Sequence, residues 1–468
     1  MLFTSGTYYV FLIAVFFLYW ATAWRTRLRV AVLLAASCFF YALVGGLALL
    51  LLVAISATDF ATTRWMSRWS DRTSRRRLLF LSIMVDIGAL CVFKYADFFI
   101  ESVGLTIPAG HLNVAAPIGI SFFIFQSLSY VIDVYRKDTE PAASYFDYLA
   151  FVAFFPTIVA GPILRAKQLL PQLRACLMLD STTGGQALFL IAIGLIKKIA
   201  IADYLSANLV ERVFDFPERF SSLEVLAAIY GYAIQIYADF SGYSDIATGS
   251  AMLLGFALPV NFNAPYRALD LPDFWRRWHI SLSTWLRDYL FFSIAGPRAR
   301  NSMALYGGLS ATMLIGGLWH GPAWTFVLWG LLHGVGLVAG RVWAGLRKRS
   351  GLAKRNSKWG RVASAVVTFH FVCFGWVFFR AETVGQAIGL LSQLFTLTTG
   401  TSNLASPLVP IIALSFIGHW MPDGRFDVAR NGFVRLPAPV QAGVLFALAL
   451  GLYFVSSSDV VPFIYSRF

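Results

Sequence analysis

Residues 303–338 read MALYGGLSATMLIGGLW, HGP, AWTFVLWGLLHGVGLV: two apolar runs parted only by His320-Gly321-Pro322, with no Asp, Glu, Lys or Arg in either. At about 1.5 Å per helical residue, each run approaches the span of a hydrocarbon layer about 30 Å thick. In that layer a backbone satisfies its own polar groups only as a helix or a closed barrel, so the stretch reads as a helical hairpin in a membrane. His320 then stands at the break between two apolar helices. An ionisable side chain in such a place is costly without a purpose, and is a functional candidate by default. With an ordinary pKa of about 6.5, an imidazole can take a proton from an attacking hydroxyl at neutral pH, as acyl transfer from a thioester requires. The structural alternative is an imidazole at an ordinary hairpin turn, bonded to backbone carbonyls.

The same pattern extends over the whole chain. Of 468 residues, 58% are hydrophobic, 16% aromatic and only 13% charged, and the mean hydropathy is +0.67, outside the range of soluble globular domains. Roughly eleven to thirteen apolar segments of spanning or near-spanning length recur. The expectation is an all-α, polytopic integral membrane protein, organised as one membrane-embedded domain over residues 1–468. The formal charge of +14 argues for no nucleic-acid partner, because Lys and Arg fall in short clusters between apolar runs, as the positive-inside rule requires. Arg25, Arg27 and Arg29 place the end of the first helix inside, so the N-terminus is expected outside. The cluster from Arg64 to Arg77 is inside as well. The chain from Val30 to Ala61 must therefore cross twice, with Gly45-Gly46 as the turn.

Further along, 95–116 reads as an outer loop and candidate docking surface. The stretch Tyr145–Gly161, interrupted at Phe154-Phe155-Pro156, reads as re-entrant or interfacial. Lys197-Lys198 is expected to cut the apolar run from Ala187 to Ile201 into short pieces. Cys38, Cys91, Cys176 and Cys373 are isolated and show no ligand or redox spacing.

Pro272 to Tyr289 carries the densest chemistry. Trp275, Trp278, Leu282, Trp285 and Tyr289 recur at spacings of three and four, with Arg276, Arg277, Thr284, Arg287 and Asp288 on other faces. This predicts one amphipathic helix lying in the interface, aromatic side down, with Asp270 and Asp273 near its start as caps. It serves as an anchor or, with its arginines, as a holder of the phosphates of a cytoplasmic donor such as coenzyme A. Asp239 and Asp245, with Tyr237, Ser241 and Tyr243, bring polar groups into another apolar run. They either orient a histidine and line a substrate path, or belong to a loop or helix end. His111, His279, His320, His333, His370 and His419 never pair at short ligand spacing, so no metal site is expected. No G-x-S-x-G elbow, P-loop or dinucleotide fingerprint occurs in a suitable context.

These stretches together resemble the membrane-bound O-acyltransferases, in particular the branch that includes alginate O-acetyltransferase membrane subunits. The resemblance rests on Met1-Leu2-Phe3, Phe155-Pro156 with Ala160 to Arg165, Tyr237 to Asp245, Asp273 to Tyr289, and Leu318-Trp319-His320-Gly321. It implies a ring of transmembrane and re-entrant helices around a central tunnel, with His320 as the catalytic histidine and His279 as the second signature histidine. Arg276, Arg277, Trp278, Asp239, Ser241, Tyr243, Asp245 and Trp319 are then the expected donor-binding or tunnel residues. The implied reaction carries acetyl from cytoplasmic acetyl-coenzyme A, a co-substrate rather than a cofactor, across a bacterial inner membrane to an extracytoplasmic polysaccharide. His320 would act as general base or transient acyl acceptor, and a periplasmic SGNH-type acetyltransferase would complete delivery. Relatives usually continue with a Leu-Gly-Gly-Asn-Arg-like stretch where this chain has Ser293 to Arg298. Two rivals remain at this level: a teichoic-acid D-alanyl transferase fed by a carrier-protein thioester, and a polysaccharide or ion transporter.

Overall fold

The computed structural model describes residues 3–104, 117–176, 178–296, 301–351, 357–404 and 407–455. Regular structure among them is entirely helical. Among the described residues five helices have the length and composition to cross a membrane: Gly46–Arg68, Arg72–Ser102, Trp324–Arg349, Lys358–Arg380 and Ala438–Val455. Gly6–Ala21, Val384–Leu394 and Leu408–Trp420 are apolar but shorter. This is the expected polytopic all-α protein, with many partial helices. The outer loop expected over 95–116 begins instead as the helix Ala96–Ser102, the end of the spanning helix Arg72–Ser102; residues 105–116 lie outside the described residues, as does the Pro297-Arg298 part of the departure from relatives.

The chain divides into two compact units, Met1–Ile193 with Tyr243–Pro259, and Gly194–Gly242 with Val260–Phe468. In the first, helices Thr26–Ala42 and Gly46–Arg68 form the hairpin that Gly45-Gly46 suggested. Gly46–Arg68 packs on Arg72–Leu90, Ile120–Arg136 and Tyr145–Val152. Tyr145–Val152 is only eight residues long, and the chain turns immediately after it through buried Phe154 and Phe155. A partial element was expected here, and Pro156 at the turn explains why the helix does not continue. Between the packed helices Asp59 accepts a hydrogen bond from Ser82 at 2.8 Å, and Ser82 shares another with Thr62 at 2.7 Å. Asp86, one turn beyond Ser82, is fully buried beside Asp59 and, among the described residues, has no hydrogen-bond partner on either carboxylate oxygen.

Three further expectations are corrected. Lys197-Lys198 does not cut the helix that begins at Ser181: it runs on as the π-helical stretch Ile196–Asp203. Lys198 is completely buried there and neutralised by Asp203 and Asp239. The polar stretch from Tyr237 to Asp245 is neither a loop nor a helix end, but the middle of the 32-residue helix Ser222–Leu253. Its backbone groups are already satisfied within the helix, so the polar side chains need only find partners of their own.

The single amphipathic helix over 272–289 is the third. It is broken into Leu271–Arg277 and Ile280–Trp285, followed by the π-helical stretch Leu286–Phe291. The break is His279, held in the left-handed region at φ 41° and ψ 57°, where a residue with a Cβ sits only under outside constraint. Trp278, Leu282, Trp285 and Tyr289 are buried in the protein rather than laid on a membrane surface, because neighbouring helices cover them.

The hairpin read from residues 303–338 is present as Ser302–His320 and Trp324–Arg349. Glycines let the two backbones touch: a Cβ on Gly317 would collide with the Phe326 carbonyl oxygen, and one on Gly330 with that of Met313. Small residues of this kind bring membrane helices to close approach.

Candidate functional site

His320 is the last residue of its helix and is 3% exposed. Its ring lies 5.1 Å from that of Trp329, 5.0 Å from Phe379, 5.0 Å from Trp319 and 6.4 Å from Phe326, centroid to centroid. The helix stops here because the chain turns at Gly321, where a Cβ would collide with the Phe326 ring. The close hairpin and this turn together aim the imidazole into an aromatic enclosure. Burying such a polar ring costs a few kcal/mol unless its nitrogens are bonded.

His279 belongs to the same unit and is completely buried. Its Nδ1 lies 3.2 Å from Asn261 Oδ1. That oxygen also accepts from the Ser281 amide at 3.2 Å and the Ser281 hydroxyl at 2.9 Å, while the Ile280 amide donates to the Asn261 carbonyl at 2.9 Å. An oxygen that collects donors fixes the tautomer with hydrogen on Nδ1, which leaves Nε2 as the basic nitrogen. Burial holds the ring neutral, pushing its pKa down to about 3. Phe240 packs edge-on against it at 4.6 Å and Trp319 at 6.2 Å. The Trp319 indole therefore touches both imidazoles.

Asp239 lies one residue before Phe240 on the helix Ser222–Leu253. It accepts from Lys198 Nζ at 2.5 Å, and Lys198 also pairs with Asp203 at 2.6 Å. Ser241 is buried in the same unit. Tyr243 and Asp245 fall in the other unit, where Tyr243 packs on Phe3 at 5.8 Å. Trp278 is buried 5.2 Å from Phe262 and 4.9 Å from Trp376. Arg277 pairs with Asp273 at 3.1 Å, and Arg276 more loosely at 3.4 Å. Arg277 faces a cavity of about 820 Å³; Arg276 does not line it.

Several neighbours of the site were not read from the sequence as site residues. Lys198 carried a signal, a lysine inside an apolar run with an acid five residues on. Asn261 carried none. His333, fully buried 4.8 Å from Trp329 and 5.2 Å from Trp275, had only its apolar surroundings to mark it. Among the described residues no three His, Cys, Asp or Glu side chains converge to hold a metal ion.

The sequence profile of MBOAT, the membrane-bound O-acyltransferase family, matches residues 140–380. A protein named "Probable alginate O-acetylase AlgI" from Pseudomonas aeruginosa is 38% identical over 437 residues, 89% of this chain and 80% of its own. The chain belongs to the membrane-bound O-acyltransferase family. As a family member it is an O-acyltransferase, and the matched region contains His279, His320, Lys198, Asp239 and Arg277. Two further proteins resemble it as well. The peptidoglycan O-acetyltransferase of Helicobacter pylori is 34% identical, over 77% of this chain and 72% of its own. The teichoic acid D-alanyltransferase of Bacillus subtilis is 29% identical, over 58% and 70%.

Proposed function

We propose that this O-acyltransferase takes acetyl from cytoplasmic acetyl-coenzyme A and passes it through a bacterial inner membrane toward an extracytoplasmic polysaccharide of the alginate class, with a periplasmic SGNH-type acetyltransferase completing delivery. The observation that carries the reading is the enclosure of His320. An imidazole closed in by Trp319, Phe326, Trp329 and Phe379 at the turn of an apolar hairpin has the place and chemistry of a transfer-site base. In the transfer, a hydroxyl oxygen attacks the thioester carbonyl, the C–S bond breaks and the thiolate leaves. His320 takes the hydroxyl proton and returns it to the thiolate. In the alternative route its own nitrogen carries the acetyl group between donor and acceptor. His279, locked in one neutral tautomer by Asn261 and packed near Trp319, orients the reacting groups. The similarity to proteins named for alginate and peptidoglycan O-acetylation supports acetyl and a polysaccharide. Arg276, exposed at the end of a short helix and outside the cavity that Arg277 faces, is suited to the donor's phosphates.

The test is transfer of labelled acetyl from acetyl-coenzyme A to polymer in membranes containing this protein and its polysaccharide system. Loss of a positioned base lowers such rates by about 10²–10⁴, and a fall of that size is expected for His320→Ala at matched expression and an unchanged elution profile. Normal transfer in the variant would sink the assignment. Labelling from an aminoacyl carrier protein, with none from acetyl-coenzyme A, would identify the donor of the D-alanyl transferases instead.

A further inference from the structure

The cavity of about 820 Å³ that Arg277 faces has a polarised shape. Its wall follows one face of the membrane-length helix Lys358–Arg380: Lys358 and Arg361 at the start, then Val362, Ala365, Val366 and Phe369. These positions recur at spacings of three and four, one stripe about 17 Å long. Phe416 and Trp420, four apart on Leu408–Trp420, close the opposite side. Its charged lining is Arg267, Arg277, Lys358 and Arg361 against the single carboxylate of Asp273. Arg277 pairs with that carboxylate, and Arg267 donates to the His419 and Met421 carbonyls. The Lys358 and Arg361 side chains have no hydrogen-bond or ion-pair partner among the described residues and remain exposed.

We propose that this slot binds an anionic phospholipid, its phosphate at Arg361 and Lys358 and an acyl chain along Val362, Val366 and Phe369. Surplus positive charge at the membrane-interface end of a spanning helix matches an anionic headgroup. The apolar stripe below it matches a hydrocarbon chain, and Trp420 at the helix end suits the headgroup boundary. Acetyl-coenzyme A is the poorer fit, because its acyl part is two carbons long and its pantetheine arm is polar, so neither has use for the stripe. The proposal goes beyond the acetyl-transfer reading and does not depend on it.

Native mass spectrometry of the full-length protein tests it, in detergent with graded palmitoyl-oleoyl phosphatidylglycerol or the phosphatidylcholine of the same chains. At about 1 kcal/mol per basic residue at a lipid surface, two free cations should favour the anionic lipid by roughly tenfold or more. Lys358→Glu with Arg361→Glu, both exposed, should abolish that preference. Val366→Trp, which fills the stripe and leaves the charge alone, should weaken phosphatidylglycerol as well. Equal retention of the two lipids, or an undiminished preference in both variants, overturns the proposal. So does one-for-one displacement of phosphatidylglycerol by acetyl-coenzyme A, which would give the slot to the donor, or by inorganic phosphate alone, which would reduce it to an anion site. A protein that keeps its lipid slot but transfers no acetyl group contradicts the proposed function and leaves this inference standing.

Discussion

At the scale of single residues, the two histidines at Trp319 are placed by opposite means. His320 is aimed by the end of a helix, whereas His279 is held by a side-chain bond to Asn261 and by a backbone conformation that a non-glycine residue rarely adopts. Neutral burial of His279 makes a signed prediction. Its pKa falls from about 6.5 unfolded to about 3 folded. The unfolded state thus binds the proton first, and the stabilising contribution is complete above about pH 6.5 and is lost as pH falls toward the folded value, at about 1.4 kcal/mol per unit. The melting temperature should decline between about pH 7.5 and pH 5.5, and His279→Gln should flatten that part of the slope. A wild-type melting temperature indifferent to pH over this range would contradict a neutral buried ring. The sequence pointed to both histidines, through the apolar surroundings of one and the Trp-Arg-Arg-Trp-His run of the other. It gave no hint of Asn261, because a lone asparagine in a loop has no period or spacing that marks it.

Between elements, two contacts decide where the site residues stand. The first is the buried Lys198, which ties the π-helical stretch Ile196–Asp203 to the helix Ser222–Leu253 through Asp239. Removing one partner of a buried ion pair costs about 3–5 kcal/mol, because the other charge is left uncompensated. Lys198→Met, which strands two carboxylates, should lower thermal stability more than Asp203→Asn, as read by the temperature at which the monodisperse peak is lost in size-exclusion chromatography. An equal loss in the two variants would argue against a shared lysine. The second is the glycine seam of the His320 hairpin. Gly317→Ala and Gly330→Ala put a methyl group into the opposing backbone, an overpacking that costs about 1–3 kcal/mol and moves His320. Gly307→Ala and Gly340→Ala, on the same two helices, meet nothing within 4 Å and should be neutral or gain up to about 1 kcal/mol from helix propensity. Acetyl transfer should fall with the first pair alone; a matching loss in the second pair would show that the seam is not what positions the histidine.

At the scale of the whole molecule, several of the ionisable side chains buried among the described helices are answered by another group, though not Asp86. Arg29 is nearly fully buried, yet donates to the Leu173 and Ala175 carbonyls at 3.1 and 2.6 Å. Lys198 is answered by two acids, and Asp59 by Ser82. Such satisfaction is what allows polar side chains at these depths. The division into two compact units also separates residues that the sequence grouped. Asp239 and Ser241 share a unit with His279 and His320, while Tyr243 and Asp245, a few positions along the same helix, belong to the other.

The sequence by itself determined the class of protein, the helical hairpin at His320 and the family, because the length of an apolar run, the clustering of basic residues and a contiguous motif are local properties. Only the tertiary structure decided the break at His279, the neutralisation of Lys198, the tautomer set by Asn261 and the slot between Arg267 and Arg361. Each of those joins residues distant in the chain or depends on how helices pack, and no period along the sequence records such a meeting.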